Sequence, residues 1–153
     1  MVIKRPPFLT RPLNGYDHRE VPDEDSSITH VGPGTPAGEY LRRFWQPVLV
    51  AQQLRESPLA IKRFCEELVA FRDKTGRVGL LQLHCPRCGT SLELGEIEGD
   101  GIRCRRDGWK FGVDGRPLDT PGAPPDNKVK DQFCHGAYPA TEHGGIVFTY
   151  MGP

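Results

Sequence analysis

Cys85-Pro86-Arg87-Cys88-Gly89 is followed, fifteen residues on, by Cys104-Arg105-Arg106-Asp107-Gly108-Trp109, and the reading of the whole chain turns on these two stretches. Each sets a thiol close to a glycine, the composition of a tight loop that turns its donor atoms inward. Cys85-x2-Cys88 with Cys104-x2-Asp107 has the spacing of a four-ligand zinc ribbon, in which two short loops each offer a pair of donors. Three thiolates and a carboxylate suit zinc or iron better than calcium or magnesium, which prefer all-oxygen cages. Gly89 and Gly108 supply the turn geometry and let the backbone approach a bound group closely. A Cys85/Cys88 redox pair activated by nearby cations is a further reading of the same residues. So is a loop pair that binds nothing and is held by packing alone.

Outward from these loops the chain reads as strands. Val48 to Val50, Ala60 to Phe64, Glu67 to Arg72 and Val78 to Leu83 are short β-type runs, separated by turn residues such as Asp73-Lys74-Thr75-Gly76. Further runs are expected from Gly108 to Val113, closed by a tight turn at Asp114-Gly115, and from Gly145 to Tyr150. The Pro-rich stretch from Pro117 to about Asp131 reads as a surface loop. One short helix is expected to start at Thr35-Pro36, with the threonine as cap, to present Tyr40, Leu41, Phe44 and Trp45 on one face, and to end before Pro47. Many short strands without interleaved helices predict an all-β, antiparallel sandwich or partly open barrel with two cysteine-bearing hairpin loops. Residues 1–33, rich in Pro, Gly, Asp and Arg, read as an extended or disordered arm ahead of one domain over 34–153.

Composition narrows the function. The chain has 153 residues, with 20 basic and 20 acidic side chains. That balance argues against bulk electrostatic binding to nucleic acid or to an anionic membrane, and no basic-aromatic array suited to nucleic acid is present. A local basic patch remains: Arg87, Arg103, Arg105, Arg106 and Lys110 crowd the cysteine segments and suggest a dock for an acidic protein partner. No apolar run long enough for a membrane span occurs, and the first thirty residues carry no apolar run of a secretory signal. With five cysteines, an odd number, a reducing, cytoplasmic setting is expected, in which Cys65 and Cys134 stay free. His30, His135 and His143 read as exposed turn residues.

The two loops also resemble the cluster-binding loops of Rieske ring-hydroxylating oxygenases, whose pattern is Cys-x-His followed by Cys-x-x-His. Val31-Gly32-Pro33-Gly34-Thr35-Pro36, Phe44-Trp45-Gln46-Pro47-Val48 and Gly144 to Pro153 extend the resemblance over roughly residues 30 to 153. It is nearest to the amino-terminal part of the phthalate dioxygenase type of alpha subunit. The resemblance implies a Rieske domain, a [2Fe-2S] cofactor, electron transfer from a reductase, an oxygenase subunit or larger complex as partner, and a possible homo-oligomer. It places Cys85 and Cys104 as thiolate ligands, puts Arg87 and Asp107 where the family has its two histidines, and sets Trp109 against the second loop. The family's substrate pocket and mononuclear iron lie in a larger following domain, so the resemblance implies an oxidoreductase component without a complete active site of its own. The alternative kept beside it is a noncatalytic structural or protein-binding module that uses Cys85, Cys88, Cys104 and Asp107 for zinc, or holds no metal.

Overall fold

The computed structural model describes residues 23–124, 128 and 132–153. They form a mostly β structure of three antiparallel sheets with two short helices, α1 (Ser26–Thr29) and α2 (Pro36–Arg42). The expected helix is α2: Thr35 caps it by accepting from the Gly38 amide, and Pro36 opens it. Its exposure differs from the amphipathic expectation, because Tyr40, Phe44 and Trp45 are half or more exposed whereas Gly38 and Arg42 are buried. Arg42 is drawn inward by Glu66 Oε1 at 2.5 Å and by the Phe64 carbonyl at 3.0 Å. Glu66 in turn accepts from the Tyr138 hydroxyl at 2.6 Å, so the buried guanidinium is paired and its stem fills space an apolar residue would otherwise take. The arm expected over 1–33 falls outside the described residues as far as position 22; α1 occupies part of the remainder.

The central sheet explains the layering. β2 (Leu59–Arg63), β3 (Glu66–Arg72) and β4 (Val78–Gln82) pair in that order. Side chains alternate across a strand, and here both faces are apolar. Leu68, Ala70 and Leu80 enter one core with Val48, Leu49 and Val147, whereas Val69, Phe71 and Leu81 enter a second core with Cys85, Cys104, Ile102 and Phe111. A strand covered on both sides reads as a continuous hydrophobic run, which is how Leu68-Val69-Ala70-Phe71 appears in the sequence. The first core is closed by the sheet of β1 (Gln46–Val50), β10 (Ile146–Thr149) and β9 (Ala140–His143), and the second by β5 (Glu96–Glu98), β6 (Gly101–Arg103), β7 (Lys110–Gly112) and β8 (Pro117–Asp119).

Phe71 faces Gly79 across the β3–β4 pair. A Cβ built on Gly79 would stand 2.5 Å from the Phe71 ring. Gly79→Ala is therefore expected to lower stability by about 1–3 kcal/mol, the usual cost of overpacking a filled core, read as a fall in the urea midpoint. An unchanged midpoint would mean that the ring swings aside freely.

Two expectations need correction. Pro117 was expected to open a loop, yet Pro117–Asp119 forms the edge strand β8; a proline at the first position of an edge strand costs no ladder hydrogen bond. The rest of that stretch lies partly outside the described residues. His135, expected in an exposed turn, is 2% exposed: its ring packs 5.2 Å from Phe111 and its Nε2 pairs with the Gln82 carbonyl at 2.9 Å. Burial holds its pKa below the usual histidine value despite that bond. Among the described residues no helix is long and apolar enough to cross a membrane.

Candidate metal centre

Both cysteine loops are built on one backbone plan. In the first, an antiparallel bridge between His84 and Ser91 pins the base, the Cys85 amide donates to the Thr90 carbonyl at 2.8 Å, and the Gly89 amide donates to the Cys85 carbonyl at 2.8 Å. In the second, between β6 and β7, the Cys104 amide donates to the Trp109 carbonyl at 2.8 Å and the Gly108 amide to the Cys104 carbonyl at 2.9 Å. Gly89 and Gly108 both take the left-handed conformation, with φ of +71° and +76°, that a side chain would disfavour. The backbone amides of Arg87 and Cys88 favour the thiolate of Cys85, and those of Arg106 and Asp107 favour the thiolate of Cys104. The loops thus superimpose in register: Cys85 corresponds to Cys104, Cys88 to Asp107, and Arg87 to Arg106.

Their tips meet. Donor atoms of Cys85, Cys88, Cys104 and Asp107 all lie within 4.8 Å of one another. Cys88 Sγ is 3.6 Å from Cys104 Sγ, and Cys85 Sγ donates to Asp107 Oδ2 at 3.4 Å. Cys85 and Cys104 are buried, Cys88 partly so. Burial pushes the Cys85 thiol up to about 12, against the opposing amide bonds, and raises Cys104 as well. For Cys88 and Asp107, burial also acts upward but is outweighed: Thr90 lowers Cys88, while the Trp109 amide and the three thiols hold Asp107 ionised. The cluster thus sets three thiols around a carboxylate, and a cation held there would displace thiol protons.

The other residues singled out in the sequence fall around this cluster. Trp109 is buried in the second core, against Phe111 at 6.3 Å and Phe133 at 6.2 Å, and its indole Nε1 has no hydrogen-bond partner among the described residues. Arg87 points away from the sulfurs, lying 5.3 Å over the Trp109 ring and reaching the Pro121 carbonyl at 3.4 Å. Of the basic patch, Arg103 pairs with Glu98 and Asp119 and Lys110 with Asp100, which leaves Arg87, Arg105 and Arg106 exposed around the loops. Sequence reasoning missed the Arg42–Glu66–Tyr138 network and the stacking of Arg87 on Trp109. The spacing of Arg87 to Trp109 is the kind of signal that only the paired-loop geometry makes readable.

A family model described as "Rieske [2Fe-2S] domain" matches residues 44–139. The chain belongs to the Rieske [2Fe-2S] domain family. It is 51% identical over 143 residues to the tert-butanol monooxygenase / tert-amyl alcohol desaturase oxygenase subunit of Aquincola tertiaricarbonis, covering 92% of this chain and 30% of that protein. It is 42% identical over 148 residues to the phenoxybenzoate dioxygenase subunit alpha of Ectopseudomonas oleovorans, covering 96% of this chain and 36% of that protein. This Rieske domain thus spans about a third of the length of these relatives. Among solved structures, the oxygenase of the reduced oxygenase–ferredoxin complex of carbazole 1,9a-dioxygenase is similar with a TM-score of 0.62 at 27% identity, over 73% of this chain and 29% of that one.

The Rieske centre binds one iron through two thiolates and the other through two imidazoles. Cys85 and Cys104 match the first pair. The second pair has no counterpart, because Arg87 is an obligate cation turned onto Trp109, Asp107 offers a carboxylate, and among the described residues no histidine joins the cluster. His84, the nearest in sequence, is exposed and lines a small cleft with Glu66, Glu67 and Gln82. The residues present do not fit a two-imidazole cluster; they fit a thiolate-rich centre.

Proposed function

We propose that this Rieske-fold domain is a metal-holding, partner-docking module of a ring-hydroxylating-oxygenase type of assembly. The observation that carries the reading is the convergence of Cys85, Cys88, Cys104 and Asp107 within 4.8 Å, in a chain of the Rieske family. Three thiols and a carboxylate brought this close together, with Cys85 and Cys104 buried, form a donor set that a thiophilic cation takes. The docking role rests on Arg87, Arg105 and Arg106, exposed together beside the loops and suited to an acidic protein surface. The carbazole oxygenase is found in a complex with a ferredoxin, and a comparable partner here belongs to this proposal. A second reading, one-electron transfer through an iron–sulfur cluster with nonstandard ligands, draws its support from family membership. The absence of imidazoles from the cluster among the described residues weighs against it as a Rieske-type carrier.

Metal analysis and a visible spectrum on anaerobically purified protein test the reading, followed by thermal melts before and after chelation. Bound metal, and a melting temperature that falls when a chelator removes it, are the expected results. Metal-free protein with a melt indifferent to chelator would leave a domain held by packing alone and would sink the proposal.

A further inference from the structure

We infer that the centre takes one four-coordinate, borderline-soft divalent cation, of which zinc is the type, held by a double knuckle of Cys85 and Cys88 from the first loop and Cys104 and Asp107 from the second. This rests on the metal-holding reading above and goes beyond it in nuclearity, ligand set and chemical class.

Three observations carry it. First, the loops share one backbone frame: each begins with a cysteine whose carbonyl accepts from the left-handed glycine four residues on, and whose amide donates to the residue after that glycine. Within this frame the second donor of each loop sits three residues after the first, at Cys88 and at Asp107. A Rieske pattern instead needs its second donor two residues after the first in loop one, at position 87, and the Arg87 side chain lies outside, on Trp109. With arginine at position 87, the side chains present a symmetrical set of four donors rather than the staggered set of a two-iron centre.

Second, the spacing matches a single ion. Metal–thiolate bonds of about 2.3 Å in a tetrahedron place neighbouring sulfurs about 3.8 Å apart. The cluster already has Cys88 and Cys104 sulfurs 3.6 Å apart, Cys85 Sγ and Asp107 Oδ2 3.4 Å apart, and every donor within 4.8 Å of the others. A two-iron diamond inserts a second metal and two bridging sulfides between its ligand pairs and spreads them beyond such an edge. Closing on one ion asks the donors to move only by fractions of an ångström.

Third, the surroundings are those of a closed structural site. The cysteines that open the two loops, Cys85 and Cys104, are buried, which shields an ion held between them from solvent. Asp107 keeps its other oxygen, Oδ1, on the Trp109 amide at 3.1 Å, which leaves Oδ2 as a monodentate donor of fixed direction. Four protein donors on one ion leave no open position for substrate or water, which marks a structural rather than a catalytic zinc site.

Native mass spectrometry with elemental and acid-labile sulfide analysis tests the inference on the full chain, purified from medium containing both iron and zinc and, separately, after anaerobic reconstitution with ferrous iron and sulfide. One zinc per chain without sulfide is expected, retained through reconstitution. Cys88→Ala should weaken zinc binding by more than about 100-fold, beyond the loss usual for an outer-sphere partner, whereas Arg87→Ala should keep its zinc. Should Cys88→Ala fail to fold, Asp107→Cys serves in its place: a complete set of thiolates in the same frame should still hold one zinc, and hold it more tightly against a chelator. Two irons with two sulfides per chain, or a folded Cys88→Ala that keeps the wild-type metal, would overturn the single-ion centre while leaving the metal-holding reading intact. Protein that binds no metal would overturn both.

Discussion

Replacing Arg87 and Asp107 with histidine, together with Cys88→Ala, is expected to give a coloured protein that carries about two irons and two sulfides per chain, where the single-ion centre proposed above gives a colourless one. The expectation follows from what the two loops have kept. Cys85 and Cys104 remain buried at the loop starts, and both glycines hold the left-handed bends that bring the loops tip to tip. What departs from the Rieske pattern is confined to side chains: a guanidinium lying on Trp109 and a carboxylate among the thiols. Histidine at position 87 removes the fixed cation, histidine at 107 replaces an anionic oxygen donor with a neutral nitrogen, and alanine at 88 removes the thiol that completes the competing set. Iron, sulfide and a visible spectrum that bleaches on reduction would be the readout. A variant that folds but stays colourless after anaerobic reconstitution would mean that the loops themselves, and not only two ligands, have left the family's geometry.

Phe111→Ala carries the largest expected loss of stability. The Phe111 side chain is fully buried, pairs across the ladder with Ile102, and packs on Trp109 at 6.3 Å and His135 at 5.2 Å. Truncating a ring in such a place removes its transfer free energy and leaves a cavity, at a cost of about 3–5 kcal/mol. Against the total stability of about 5–15 kcal/mol usual for one domain, that is a large share. Chemical denaturation should show a lower midpoint with an unchanged slope. Because β7 follows the second cysteine loop, retention of an ion held as proposed above should fall in parallel. A loss below about 1 kcal/mol, on the order of an Ile-to-Val change, would contradict the packing described for this core.

The long apolar runs were legible because their physics is local. Leu68 to Phe71 and Val78 to Leu81 are strands buried on both faces, and no period-2 polarity is needed to recognise them. Thr35-Pro36 announced α2 through its own cap. The short, charged strands were not legible: Glu96–Glu98 and Ala140–His143 offer too few buried side chains to set a pattern, and they become strands only because a neighbour supplies the ladder. The pairing of Cys85 with Cys88 and of Cys104 with Asp107 could be read from spacing, whereas the convergence of the four depends on two sheets being stacked. Arg42 was hidden for another reason. A helix face reads from its apolar residues, and here the buried position is charged, with partners at Glu66 and the Phe64 carbonyl that lie more than twenty residues away.

The two loops do not belong to the same sheet. The first leaves the end of β4, in the central layer, and the second joins β6 to β7 in the outer one. Those layers touch through apolar side chains that slide past one another with little directional resistance. A cation gripped from both sides would act as a rivet, resisting shear where a hydrophobic contact does not. Pulled apart in an optical trap, the metal-bound domain should therefore yield as one block, and the stripped domain should part first along the seam between the two layers.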